Sequence, residues 1–506
     1  MNFSNIMGKI ICLLMLFIGL VSSAVIPTED YWSLRASLLH VEEVTSIGGR
    51  LAFKEGEHNA NDLLMTHKRA EIDEAFSNPR KFLPAKNFLE VLGGIEQSKV
   101  FKIMKKVPKG AVLHAHDTAF VHWEFVYNIT FRENLYICDS DGELSLQFFQ
   151  TPSNSCDWKL LSDLREELAV ADSLNERIRR KMTMLVENPD EKYPDVDAAW
   201  AKFMDIFMFI TPMLTYRPVW EDYYYQGLKE LYEDNVLYLE LRSTLPPLYE
   251  LDGREYKLLE VVGIYKNVTA RFKEDYPDFI GAKIIYAPLR MMSETEIGNF
   301  INEAVEMKRT YPHFFAGFDL VGQEDKGKTL KSYADKLNAV KNEINYFFHA
   351  GETNWYGTST DDNLIDAVLL NTKRIGHGYA IVKHPKVLDY VKKNKIAIEV
   401  CPISNQVLGL VKDLRNHPAS ALFADDVPVV VSNDDPGLFG SRALSYDFYE
   451  AFMGMMSKNA DIRALKQLAM NSLIYSSLSQ DERFHAFNIW QGRWDRFINE
   501  LNNKVV

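Results

Sequence analysis

The sequence predicts an α/β fold, a (β/α)8 or TIM barrel that carries a helical N-terminal region and a small disulfide-bridged insert. Two observations point there. Eight short β-branched or aromatic runs alternate with helical stretches, as a parallel α/β architecture requires. Four of those runs end in histidines or carboxylates, and in a barrel the reactive groups sit at the C-terminal strand ends. The runs are Ala111–Leu113, Val236–Leu241, Ile280–Ala287, Phe314–Leu320, Tyr346–Phe348, Arg374–Ile375, Ile396–Val400 and Val427–Val431. An open doubly wound sheet is the competing topology, but no GxGxxG or Walker A turn follows any run.

Composition sets the outer bounds. The 506 residues are 47% hydrophobic and 25% charged, ordinary values for a folded chain with a sizeable core. The 57 basic against 70 acidic side chains give a net charge of −13, which repels polyanions and argues against nucleic acid as a partner.

Taken in order, the chain opens with Lys9, an apolar run from Ile10 to Leu20, and small residues at Ser22-Ser23-Ala24. This predicts a signal peptide over residues 1–24 and a secreted, extracellular protein. The apolar run is too short to span a membrane, and no later stretch is long enough. Residues 25–105 read as helices, with Trp32-Leu34-Leu38-Leu39 and Leu63-Leu64-His67-Ile72 at helical spacing. They carry no catalytic constellation, so they are expected to pack against something, such as a second subunit.

Residues 134–181 differ in character. Two β-prone runs flank Ser140-Asp141-Gly142, a hairpin signal. Cys138 and Cys156 close a short loop suited to pairing in an oxidising compartment, with a bridge contributing about 3 kcal/mol. The competing reading is a long stapled surface loop. Residues 106–133 and 182–506 are left for the barrel. Cys401 has no evident partner and reads as a buried thiol. Sequons at Asn128 and Asn267 mark surface glycosylation sites.

The chemistry gathers at the strand ends. The first run ends in His114-Ala115-His116-Asp117, whose two imidazoles point the same way on an extended strand. The fifth ends in His349-Ala350-Gly351-Glu352, the sixth in Gly376-His377-Gly378, and the eighth in Ser432-Asn433-Asp434-Asp435. His114, His116, His349 and Asp434 form a donor set suited to one Zn²⁺ with a position open for water. Such an ion makes water nucleophilic near neutral pH, so hydrolysis is the expected reaction. His377 is placed to take or orient a proton of that water, Glu352 to protonate the substrate, and Asp435 to bond its polar edge. The structural alternatives are helix capping by Glu352 or Asp435 and a purely structural His377. The fourth run, Phe318-Asp319-Leu320, carries no lysine, which favours one metal over a lysine-bridged pair.

Five segments resemble the adenosine deaminase superfamily: Pro108-Lys109-Gly110 with His114-Ala115-His116-Asp117; Phe347 to Thr353; Arg374 to Gly378; Cys401-Pro402-Ile403-Ser404-Asn405-Gln406-Val407-Leu408; and Asp434-Asp435-Pro436. Over nearly its whole length the chain is similar to the secreted adenosine deaminase-related growth factors, or adenosine deaminase 2 type. That resemblance implies a zinc-dependent barrel of the metal-dependent hydrolase type converting adenosine, and 2′-deoxyadenosine, to inosine and ammonia. It implies a homodimer built on the N-terminal helices, and an insert that binds a cell-surface receptor or glycan and supports growth-factor activity. Glu352 would protonate N1 of the purine, Asp435 hold its N7 or amino edge, His377 assist the water and Gly351 offer its N–H. Asp117, Trp200, Phe203, Phe207 and Gly322 would contact the nucleoside, although Trp200 to Phe207 also reads as a helix packing face and Gly322 as a structural turn. Where some relatives place a substrate-contacting histidine, this chain reads Pro288-Leu289-Arg290. A receptor-binding growth factor with secondary deamination is one rival reading. A deaminase of AMP is another, weakened by the lack of a phosphate-binding cationic cluster near the motifs.

Overall fold

The computed structural model describes residues 28–503, so the expected leader lies outside the described residues. The chain divides into two compact units, Met1–Thr45 and Ser46–Val506. In the first, residues Thr28–Thr45 form one helix, along which Trp32, Leu38, Leu39 and Val41 are exposed.

The second unit begins with helix Glu57–Ser77 and two shorter helices, Phe88–Gln97 and Lys99–Met104. Its strands, in chain order, are β1 Gly110–His116, β2 Leu135–Ser140, β3 Glu143–Phe148, β4 Lys159–Leu160, β5 Val236–Ser243, β6 Leu248–Tyr249, β7 Glu255–Tyr256, β8 Gly281–Tyr286, β9 Phe315–Phe318, β10 His349–Ala350, β11 Arg374–His377, β12 Ala397–Val400 and β13 Val429–Val431. Eight of them pair in parallel as two four-stranded sheets, β1-β5-β8-β9 and β10-β11-β12-β13. The sheets meet at both seams through single parallel bridges, Phe318 with Tyr346 and Ala115 with Asp434. This is the (β/α)8 arrangement that the run pattern predicts. The strands are buried on both faces because helices cover the outside and side chains, charged ones among them, fill the inside.

Each predicted run lies on or beside one of these eight strands. The fifth is the least regular: Tyr346–Phe348 flanks β10 instead of forming it. There the Thr372 hydroxyl enters the ladder, donating to Arg374 O at 2.6 Å and accepting from Phe348 N at 3.3 Å. The first and sixth strands run on to His116 and His377, so both histidine motifs lie within the ladder. Gly110 starts β1 at φ 80°, where a Cβ would sit 2.4 Å from Ser472 Oγ. Only glycine permits that approach of the strand to helix Ile462–Ile474.

The insert is an antiparallel sheet of order β3-β2-β4, with Asp141 and Gly142 both at positive φ in the hairpin turn. Cys138 and Cys156 are disulfide-bonded. Tyr249 ties the hairpin to the barrel: its hydroxyl accepts from Phe148 N at 3.1 Å and donates to Pro212 O at 2.9 Å. The second hairpin, β6 and β7, carries no pattern that the sequence reading recognised. Both sequon asparagines are exposed on helices, Asn128 on Trp123–Ile129 and Asn267 on Leu258–Asp275. Cys401 is buried, as expected of an inert thiol. No helix among the described residues is long and apolar enough to cross a membrane.

Candidate active site

The C-terminal strand ends bring the four histidines and both aspartates together. Ring centroids of His114 and His349 lie 4.5 Å apart, of His114 and His377 4.7 Å, and of His116 and His349 5.4 Å. Donor atoms of His114, His349, His377 and Asp434 fall within 4.8 Å of one another, as do those of His116, Asp434 and Asp435. Asp434 Oδ1 is common ground, 3.2 Å from His114 Nε2 and 3.0 Å from His116 Nε2.

Two atoms in this group test whether it suits a metal. His114 Nε2 and Asp434 Oδ1 are buried without a hydrogen-bond partner among the described residues, a costly arrangement for polar atoms. A cation between them would satisfy both. Their neighbours are oriented accordingly: His114 Nδ1 lies 2.7 Å from Glu399 Oε2, and His349 Nδ1 lies 2.6 Å from Asp319 Oδ2. A carboxylate can only accept, so each Nδ1 carries the hydrogen and each Nε2 presents its lone pair inward. Three imidazoles, two of them backed in this way, and a carboxylate fit zinc.

The carboxylates are held by a charge network filling the barrel. Arg242 on β5 reaches Asp319 Oδ2 and Glu399 Oε2, both at 2.7 Å. Arg374 on β11 bonds Glu399 Oε1 at 2.5 Å and Glu240 Oε2 at 2.7 Å. Although burial opposes ionisation, the guanidiniums and the facing imidazoles hold Asp319 and Glu399 well below the usual carboxylate range.

A cavity of about 660 Å³ opens above the histidines, within the range of small-molecule sites. His116, Asp117, Trp200, Phe203, Phe207, Gly322, His349, Glu352, His377, Asp434 and Asp435 all border it, as does Leu289. Trp200, Phe203 and Phe207 come from one face of helix Val196–Leu214. Asp117 is fixed by Tyr265, whose hydroxyl donates to Oδ2 at 2.7 Å, and by Ser243. Burial, with Asp434 and Glu324 nearby, pushes the Glu352 carboxyl well up, as burial and Asp434 do for Asp435. Gly351 departs from expectation. Its N–H donates to Glu324 Oε1 at 3.0 Å, and Glu352 N donates to Glu324 Oε2 at 2.7 Å, because a buried carboxylate here needs both donors. The Gly351 N–H is therefore engaged within the protein.

Sequence reasoning missed Glu399, Asp319, Arg242, Arg374 and Glu324. One signal was present: a charged residue inside an apolar β run, such as Glu399 in Ile396–Val400, must have a buried partner.

A parallel barrel with imidazoles and carboxylates converging at its C-terminal strand ends defines a metal-site hydrolase of the TIM-barrel class. A family profile described as adenosine deaminase matches residues 175–488, and one described as adenosine/AMP deaminase N-terminal matches residues 11–104. The chain is 48% identical over 483 residues to an adenosine deaminase of Phlebotomus duboscqi, covering 94% of this chain and 93% of that one. It is 44% identical over 481 residues to adenosine deaminase 2 of Homo sapiens, covering 93% and 94%. The fold is also that of a zinc-bound amidohydrolase from Burkholderia ambifaria, with TM-score 0.53, 17% identity, and coverage of 79% of this chain and 94% of that one. This chain belongs to the adenosine deaminase family.

Proposed function

We propose that this protein is a secreted, zinc-dependent enzyme that hydrolyses adenosine, and 2′-deoxyadenosine, to inosine and ammonia. The observation that carries this reading is that Asp434 Oδ1 lies 3.2 Å from His114 Nε2 and 3.0 Å from His116 Nε2, with the His349 ring 4.5 Å and 5.4 Å from theirs, below a cavity that Glu352 and Asp435 border. One Zn²⁺ per subunit, held by those four side chains, would supply the Lewis acidity that makes water nucleophilic at neutral pH. The remaining steps belong to the chain. Glu352, kept protonated by burial and by neighbouring carboxylates, holds a proton for N1 of the purine as water adds at C6. Asp435, protonated for the same reasons, bonds the N7 or amino edge, and His377 orients the water. Trp200, Phe203, Phe207 and Gly322 enclose the nucleoside and exclude bulk water, and Asp117 offers a carboxyl fixed by Tyr265.

Secretion rests on the leader at residues 1–24 and on the Cys138–Cys156 disulfide, and exposed Asn128 and Asn267 suit glycosylation. The helical region 25–105 is assigned to a homodimer interface, a reading supported by the exposed apolar residues of helix Thr28–Thr45. The insert 134–181 is assigned to a cell-surface receptor or glycan and to growth-factor activity.

An ultraviolet assay of adenosine conversion, with and without chelator, tests the central reading. Turnover is expected, with loss on chelation and recovery with Zn²⁺. Activity that survives thorough metal removal, or strong preference for AMP in a side-by-side assay, would contradict it. Glu352→Gln should retain zinc and lose about 10²–10⁴-fold in kcat. Growth promotion that survives this substitution would favour binding as the primary role.

A further inference from the structure

His377 differs from its two buried neighbours in what its outer nitrogen meets. Where His114 and His349 face carboxylates, His377 Nδ1 lies 3.1 Å from the side-chain amide nitrogen of Asn405. The amide's orientation follows from a chain of bonds behind it. Ala419 N–H donates to His417 Nδ1 at 3.0 Å, and this backbone donor cannot reverse. His417 is buried and neutral, burial having pushed its pKa down to about 3, so its one hydrogen is on Nε2. That atom lies 2.9 Å from Asn405 Oδ1 and donates to it. The Asn405 amide then has its N–H₂ toward His377, whose Nδ1 accepts. With Nδ1 accepting, the hydrogen of His377 is on Nε2, the nitrogen facing Glu352 Oε1 at 3.6 Å and Asp434 Oδ2 at 3.7 Å.

We infer that Asn405 and His417 are positioning residues that fix the tautomer of His377, making its inward nitrogen a hydrogen donor in the active site and excluding it from the metal's ligands. The inference rests on the deaminase reading above and deepens it. It separates three imidazoles that distance alone does not: carboxylate-backed His114 and His349 present lone pairs, whereas amide-backed His377 presents N–H. The relay is rigid. Asn405 and His417 are both buried, the Asn405 backbone carbonyl accepts from Leu410 N at 2.9 Å, and Tyr379 packs edge-on against the His417 ring.

The test is a long-range ¹⁵N–¹H spectrum of the full-length protein with ¹⁵N-labelled histidine, recorded without substrate, the His377 signals being identified by their loss in His377→Ala. The expected wild-type pattern is a hydrogen on His377 Nε2. In Asn405→Asp the carboxylate can only accept, so the hydrogen should move to Nδ1. Then kcat should fall about 10²–10⁴-fold, as expected for a wrong tautomer, with KM and bound zinc changed less than about twofold. His417→Gln, which keeps a side-chain N–H for Asn405, should retain most activity, whereas His417→Leu should lose it. This pair decides the matter if Asn405→Asp does not fold. A wild-type hydrogen on Nδ1, or unchanged kcat after the tautomer has switched, overturns the inference. Because the spectrum needs no turnover, a chain inactive on adenosine would sink the deaminase reading and leave the tautomer assignment to be decided by the spectrum.

Discussion

Asp434 and Asp435 are adjacent, buried and driven in opposite directions. His114, with His116 and His377 beside it, holds the Asp434 carboxyl well below the usual carboxylate range against the cost of burial, whereas burial and the Asp434 charge push the Asp435 carboxyl well above it. In the proposed function these two neighbouring carboxyls take two roles, anion and hydrogen donor. Asp435→Asn, which mimics the neutral acid, should leave zinc content unchanged, and Asp434→Asn should lose it; plasma mass spectrometry of both variants checks this. Gly376 has a role that no motif announced. A Cβ there would lie 3.1 Å from His114 Cε1 and 3.2 Å from His349 Cα, and His114 cannot yield because Glu399 grips its far side. Gly376→Ala should therefore weaken zinc binding while the fold survives, measured by competition with a chromophoric chelator. His377 and Asp434 both sit at φ 56°, a backbone region that side chains occupy at a cost where function demands it.

The strands serve as platforms for an internal charge network, and this explains what the sequence could and could not reveal. His114 and His116 were legible because i and i+2 on a strand share a face, and the strand itself was legible from its apolar run. Their supports were not. Arg242 meets Glu399 across 157 residues of chain, a contact that exists only once the strands are arranged side by side. Asn405 was read as part of a motif without a role, since its two histidine partners are brought to it by tertiary packing. Removing one side of a buried ion pair leaves an uncompensated charge, so Arg242→Met should cost about 3–5 kcal/mol in urea unfolding. Glu399→Gln should reduce zinc affinity about 10–100-fold, as loss of a ligand's supporting carboxylate does.

Helix Ser445–Glu450 runs into a π-turn at Ala451–Met455, and Glu450 is buried there, its Oε2 without a hydrogen-bond partner among the described residues. Burial raises its pKa to about 8. The folded state therefore keeps a proton that the unfolded state releases near pH 4.5, the group's ordinary value. Stability from this group is complete below that pH and declines as pH rises, by about 1.4 kcal/mol per unit, until the folded pKa is passed. Glu450→Gln should raise the Tm at pH 8 and flatten the pH dependence across this window. A Tm lower than wild type at pH 8 would contradict the assignment.

In the proposed function, stability and catalysis across the whole chain converge on one ion. Zinc that binds the folded state alone stabilises by mass action, about 4 kcal/mol when free zinc is a thousandfold above Kd. Chelation should thus lower Tm as well as activity, and both should return together. The most direct check is a chelator titration in which bound zinc and the rate of adenosine conversion are followed on the same samples. The account predicts that activity falls in proportion to zinc and vanishes as the last equivalent leaves the chain. Full conversion of adenosine by a zinc-free chain would contradict it.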